Sequence, residues 1–96
     1  MKKYMFLTIG FEKPSPDDMK AWGQWFESIA DKTIDRGGFA GAREISKAGA
    51  EELPWGPESL TGYVLFNAES LDHAEQLAST CPVVKCNRVY EIRDHG

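Results

Sequence analysis

The chain states one phrase twice, and that repetition constrains its fold more than any other feature. The clearer copy is GYVLFNAESLDHAEQLASTCP at residues 62–82: an apolar strand, a capped helix and a proline stop within 21 residues. The earlier copy is KKYMFLTIG at residues 2–10 followed by SPDDMKAWGQWFESIADKTIDRGG at residues 15–38. Two strand–helix halves, each closed by a further strand, predict a βαββαβ order, the ferredoxin-like split βαβ of the α+β class. Right-handed crossovers then set the first and third strands side by side in a four-stranded antiparallel sheet, with both helices on one face.

Each element has a local signal. Residues 3–9 are almost continuously apolar, which predicts a strand covered on both faces. Ser15 can cap a helix, Pro16 suits its first position, and Asp17 and Asp18 suit the positive end of its dipole. Met19, Trp22, Phe26, Ile29 and Ala30 recur at spacings of three and four, forming the expected buried stripe with Trp25 at its margin. Gly37 and Gly38 are read as the end of this helix. Residues 39–47 follow as a less apolar edge strand, and residues 48–59, rich in Gly and Pro, as a loop. A central strand at residues 63–68 leads to a helix capped by Ser70, with Leu71, Ala74, Leu77, Ala78 and Cys81 inward and Pro82 ending it. Residues 88–93 form the last expected strand, before a polar tail containing His95.

One helical layer covers one sheet face and leaves the other bare. Burying even ~600 Å² of apolar surface there is worth roughly 15 kcal/mol before the cost of association. A homodimer joined through the sheet face is therefore expected; a monomer with a solvated sheet is the other possibility.

The bulk composition narrows the function classes. Ninety-six residues, 42% of them hydrophobic and 27% charged, fit a single domain spanning residues 1–96. A net charge of -4, with scattered Lys and Arg, lacks the basic stripe of a nucleic-acid binder. No apolar run approaches the roughly 20 residues that span a bilayer, so no membrane role is expected. The start, Met1 to Gly10, reads as a strand and not as a signal peptide, because Glu12 follows at once. With only Cys81 and Cys86, neither a disulfide scaffold nor a metal site is implied, and a cytoplasmic protein without a cofactor is expected.

KYMFLTIG, the WGP of residues 55–57, the whole of residues 62–82 and the closing VYEIR resemble the YCII-related, or DGPF-domain, family across nearly the whole chain. That resemblance implies a dimeric α/β barrel with a pocket between the open sheet face and adjoining loops. It also implies enzymatic roles that are proposed for members of the family. Two positions depart from the family pattern. Its Asp-Gly-Pro-Phe motif reads Trp55-Gly56-Pro57-Glu58 here, and the first helix, AWGQWFESIA, has no histidine. The acid–base residues of the family therefore do not transfer.

Candidate chemistry must come from elsewhere. Glu91, Arg43 and His73 are the catalytic candidates, and Glu91 is expected to pair with Arg43 or Arg93. His73 stands off the apolar stripe near a helix start, where a capping role competes with that of a general base. Thr8, Trp55, Tyr63 and Asn67 are the candidate ligand-binding residues: polar groups within apolar strands, together with an aromatic in a loop. Cys81 is expected to be packed and inert, and a reactive Cys86 would need a positive surrounding. Two functions follow. One is a YCII-like dimer that binds a small organic molecule, with isomerase, lyase or cofactor-free oxygenase chemistry if it is an enzyme. The other is a non-catalytic structural or regulatory dimerisation module.

Overall fold

The computed structural model describes residues 1–10, 12–83 and 85–93. Their order is β1 (Lys2–Ile9), α1 (Pro16–Ser28), β2 (Thr33–Gly38), β3 (Arg43–Ser46), β4 (Gly49–Glu52), β5 (Leu60–Ala68), α2 (Leu71–Ala78) and β6 (Cys86–Glu91). The expected tail with His95 lies outside the described residues.

β1 and β5 are the central strands of a four-stranded sheet ordered β2-β5-β1-β6, antiparallel throughout. Register fixes which side chains share a face. Tyr4 lies opposite Phe66 and Phe6 opposite Val64, and all four are fully buried. With Trp25 and Ile29 from the α1 side and Ala74, Ala78 and Cys81 from the α2 side, they make one core. The protein is thus an α+β fold in which both helices cover the same sheet face. Met5, Leu7, Tyr63 and Leu65 alternate onto the other face, where they are half-buried by their neighbours alone.

Both helix starts form as local chemistry requires. Ser15 and Asp18 make a reciprocal capping box, with the Ser15 hydroxyl accepting from the Asp18 amide and the Asp18 carboxylate accepting from the Ser15 amide. Ser70 accepts from the amide of His73 at the start of α2.

Several sequence expectations are corrected. α1 ends at Ser28, not at Gly37: the amides of Lys32 and Thr33 and the Thr33 hydroxyl all turn back to the Ile29 carbonyl. Residues Thr33–Gly38 then pair with β5 as an edge strand. Pairing with an apolar neighbour overrides the weak strand propensity of Asp35-Arg36-Gly37-Gly38. Gly37 is needed for packing rather than as a cap, because a Cβ there would lie 2.8 Å from the Tyr63 ring.

The buried stripe of α1 is rotated from the expected one. Trp25 is at its centre, only 4% exposed, whereas Met19 is 63% exposed. The indole fills the space over Phe6 at 4.9 Å between centroids, and its Nε1–H donates to the Leu77 carbonyl at 3.0 Å. A polar partner for the N–H is what permits burial of so large a ring. Leu71, expected inward on α2, is exposed.

The strand expected at residues 39–47 shrinks to β3, which leaves the main sheet and pairs with β4, within the expected loop. Gly49 holds φ +124°, which favours glycine, and lets the chain reverse there. Every residue of β3 and β4 is exposed. The molecule measures 40 × 40 × 19 Å, and its thickness is one helix layer on one sheet layer. The radius of gyration of 14.5 Å exceeds the roughly 12.5 Å expected of a chain this long. The protruding hairpin accounts for the excess.

No helix among the described residues is long and apolar enough to cross a membrane.

Candidate functional site

α2 lies close on β5 and β6, while α1 stands further off the sheet on its aromatic side chains. A cleft of about 720 Å³ opens between α1 and the ends of the central strands. Its size falls in the range of small-molecule sites. The resemblance implied a pocket between the open sheet face and adjoining loops; this cleft lies on the helix-covered face.

The cleft's walls are apolar. Phe6 and Val64 come from the sheet, and Met19, Trp22 and Phe26 from α1. Trp22 meets Trp25 edge-on at 5.8 Å and Phe26 at 5.7 Å, so the cleft wall is continuous with the core aromatics. The floor depends on backbone economy. β1 shifts register between Thr8 and Ile9, and Gly10 then takes φ +105° with its amide donating to the Ser59 carbonyl at 2.8 Å. Gly62 lines the cleft beside Thr8, where a Cβ would crowd the Gly37 carbonyl at 3.1 Å.

A few polar groups are set into this surface. The hydroxyls of Thr8 and Thr61 are 2.8 Å apart, one donating to the other. Asn87 donates its amide nitrogen to the Pro82 carbonyl at 3.3 Å and to Cys81 Sγ at 2.8 Å. A carbonyl can only accept, so this orientation of the amide is fixed and Oδ1 is left as an acceptor. Arg36, on β2, lays its guanidinium 4.1 Å from the centroid of the Phe26 ring at the cleft's rim. Asp18 also lines the mouth, but its carboxylate is committed to the cap; the Ser15 backbone and hydroxyl hold it below the usual carboxylate range.

The structure brings only part of the expected site together. Thr8 lines the cleft, and Tyr63 borders it from the sheet while its ring lies on the opposite, open face. The Tyr63 hydroxyl donates to Asp35 at 2.9 Å, which with partial burial raises its pKa, and its ring stacks on Phe39 at 5.6 Å. Asn67 is at the far end of β5, opposite Lys3, and Trp55 is on the loop between β4 and β5; neither lines the cleft. Arg43 is on the exposed hairpin, so the expected pairing with Glu91 does not form. Glu91 instead accepts from the Tyr4 hydroxyl at 3.1 Å and faces Lys2 at 3.8 Å. His73 Nδ1 accepts from the Glu69 amide at 3.0 Å, which fixes the Nε2–H tautomer and spends the ring on the helix start.

Arg36, Asn87, Thr61 and the Trp22–Phe26 pair were not read as site residues from sequence. Arg36 was hidden by its assignment to α1. Asn87, a lone amide beside an apolar strand, was the one available signal.

Both cysteines are free thiols, and burial pushes Cys81 up to about 11. Among the described residues no group of three or more His, Cys, Asp or Glu is placed to hold a metal ion. The arrangement can bind and orient an apolar molecule and hydrogen-bond to it at a few fixed points. Compared with known protein families and with curated proteins, the chain matches none.

Proposed function

We propose that this protein binds a small, mainly apolar organic molecule in the cleft beneath α1, as a homodimer joined through its open sheet face. The observation that carries the reading is the cleft itself: about 720 Å³, walled by Met19, Trp22 and Phe26 over the buried Phe6 and Val64, with few and fixed polar groups. Such surroundings favour transfer of an apolar body out of water, while the polar groups set its orientation.

The strand order β2-β5-β1-β6 with both helices on one face supports a ferredoxin-like fold of the YCII-related kind. The dimer is supported by two features. Met5, Leu7, Leu65 and Tyr90 leave an apolar sheet face uncovered. The β3–β4 hairpin has no buried residue and an Ile45 that is 83% exposed, and isolated two-stranded hairpins are marginal in water. A second copy would cover both in a dimeric α/β barrel. Free thiols at Cys81 and Cys86 suit a reducing, cytoplasmic setting.

One observation favours the second reading, a structural or regulatory dimerisation module. His73 and Glu91 are spent on a helix start and on Tyr4, so any isomerase, lyase or oxygenase chemistry would need other groups.

Thermal shift across a panel of neutral aromatics, aromatic acids and small aliphatic acids separates the two readings. Concentration-dependent stabilisation by an aromatic class is expected for the binding protein. No shift with any class, in a chain that elutes as a dimer of the 10.7 kDa subunit, would leave the dimerisation module.

A further inference from the structure

We infer that the molecule held in the cleft is a flat aromatic carboxylate, with its anionic group at Arg36 and a hydrogen-bond donor at its far end facing Asn87. This inference rests on the binding reading above and names the ligand class of the same site.

Arg36 is the first reason. Its guanidinium has no carboxylate partner among the described residues, although two acids are near in sequence or space. Asp35 alternates to the other sheet face, where it accepts from Tyr63 and from the Arg36 backbone amide. Asp18 is held by Ser15. Its position over the Phe26 ring, 4.1 Å from the centroid, spends none of the guanidinium's hydrogen-bond donors. A planar fork of donors at the edge of an aromatic-lined cleft can meet a planar carboxylate with two parallel hydrogen bonds.

The cleft is also polarised. Glu12 and Asp18 stand at the mouth near the start of α1, whereas Arg36 stands over Phe26. Asp18 and Phe26 are eight residues apart, or about 12 Å along the helix axis. An anion is repelled at one end and attracted at the other, so it has one favoured orientation.

The far end follows from sheet register. Arg36 lies opposite Val64, Val64 opposite Phe6, and Phe6 opposite Val89, two residues beyond Asn87. Three strand spacings of about 4.8 Å put β2 and β6 about 14 Å apart. After the Arg36 side chain reaches inward, that span suits one or two fused rings with substituents at opposite ends. The acceptor waiting at the β6 end is Asn87 Oδ1, because its amide nitrogen is held by Pro82 and Cys81. Thr8 and Thr61 add a hydroxyl pair beside it. A ligand hydroxyl is the group these acceptors would take.

Isothermal titration of the full chain at neutral pH with 6-hydroxy-2-naphthoate, 6-hydroxy-2-naphthamide, 2-naphthoate and 2-naphthol tests this. The hydroxy acid is expected to bind at least tenfold more tightly than its amide. Arg36→Gln should erase that difference chiefly by weakening the acid, and Arg36→Lys should restore part of it. 2-Naphthoate, without the donor, should bind three- to tenfold more weakly than the hydroxy acid. Equal binding of acid and amide, unmoved by Arg36→Gln, would overturn the carboxylate assignment while leaving the cleft a binding site. Equal binding of the two acids would remove the Asn87 half. Failure of all four compounds to bind would overturn the binding reading itself.

Discussion

Replacing Trp25 by Phe tests how α1 is held off the sheet, and hence what keeps the cleft open. Two losses can be worked out. The benzene ring leaves a void of about 40 Å³ beside Phe6, worth about 1 kcal/mol at ~24 cal/mol per Å³. The hydrogen bond from Nε1 to the Leu77 carbonyl, 3.0 Å long, disappears as well. That carbonyl keeps the Thr80 hydroxyl at 3.3 Å, so it is not orphaned, and the loss stays near about 1 kcal/mol. The sum is about 2 kcal/mol, or a fall in Tm of roughly 8–16 °C for a domain of this size. Trp22→Phe is the internal control: Trp22 is half-buried at the cleft wall, with no hydrogen bond from its indole among the described residues, and should cost under about 1 kcal/mol. Urea unfolding followed by far-UV circular dichroism measures both without relying on tryptophan emission. All samples must share one protomer concentration, because the stability of the proposed dimer would depend on it. A Trp25→Phe loss below about 0.5 kcal/mol, or one no larger than that of Trp22→Phe, would refute Trp25 as the anchor.

Two further perturbations probe other parts of the fold. In Gly37→Ala the new methyl meets the Tyr63 ring at 2.8 Å, so the ring must swing away and lose Asp35 and Phe39. A cost of about 1–2 kcal/mol is expected in the same unfolding assay, and a stabilised variant would contradict the close approach of Tyr63 to Gly37. Cys81 supplies a pH signature: the thiol ionises from about 9 when unfolded but only near about 11 in the fold. Its contribution is complete below pH 9 and is lost as pH rises towards 11, by on the order of 1–2 kcal/mol after solvent screening. Against a Cys81→Ala background that slope should flatten; identical alkaline profiles would place the Cys81 thiol in water.

What the sequence made legible was whatever is set locally. The Ser15 and Ser70 caps, Pro16, and the apolar runs of β1 and β5 all act within a few residues of themselves. β2 was not legible, because Thr33–Gly38 becomes a strand only by pairing with β5, and its own composition resembles a helix end. Periodicity identified α1 as amphipathic without fixing its phase, so Met19 was placed inward and Trp25 at the margin. The choice between them lies in the Leu77 carbonyl, 52 residues away in the chain. The hairpin left no pattern to read, because nothing in Arg43–Ser46 or Gly49–Glu52 is buried. Of the expected ligand-binding residues, Thr8 reaches the cleft because it lies at the correct end of a central strand and on the helix-covered face, whereas Tyr63 borders that end but turns its ring to the open face. Asn67 has the same character at the wrong end. Arg36 was missed with β2, since a residue assigned to a helix end cannot be given a sheet face.

The most direct test of the cleft as the binding site is a titration of ¹⁵N-labelled protein with 6-hydroxy-2-naphthoate, followed by ¹H–¹⁵N correlation spectra. The expected result is saturable movement of the Trp22 indole signal and of the amides of Thr8, Gly10 and Asn87. The Trp25 indole, tied to Leu77, and the amides of the β3–β4 hairpin should stay still. Shifts gathered instead on Met5, Leu7, Leu65 and Tyr90, or none that saturate, would contradict a ligand site beneath α1.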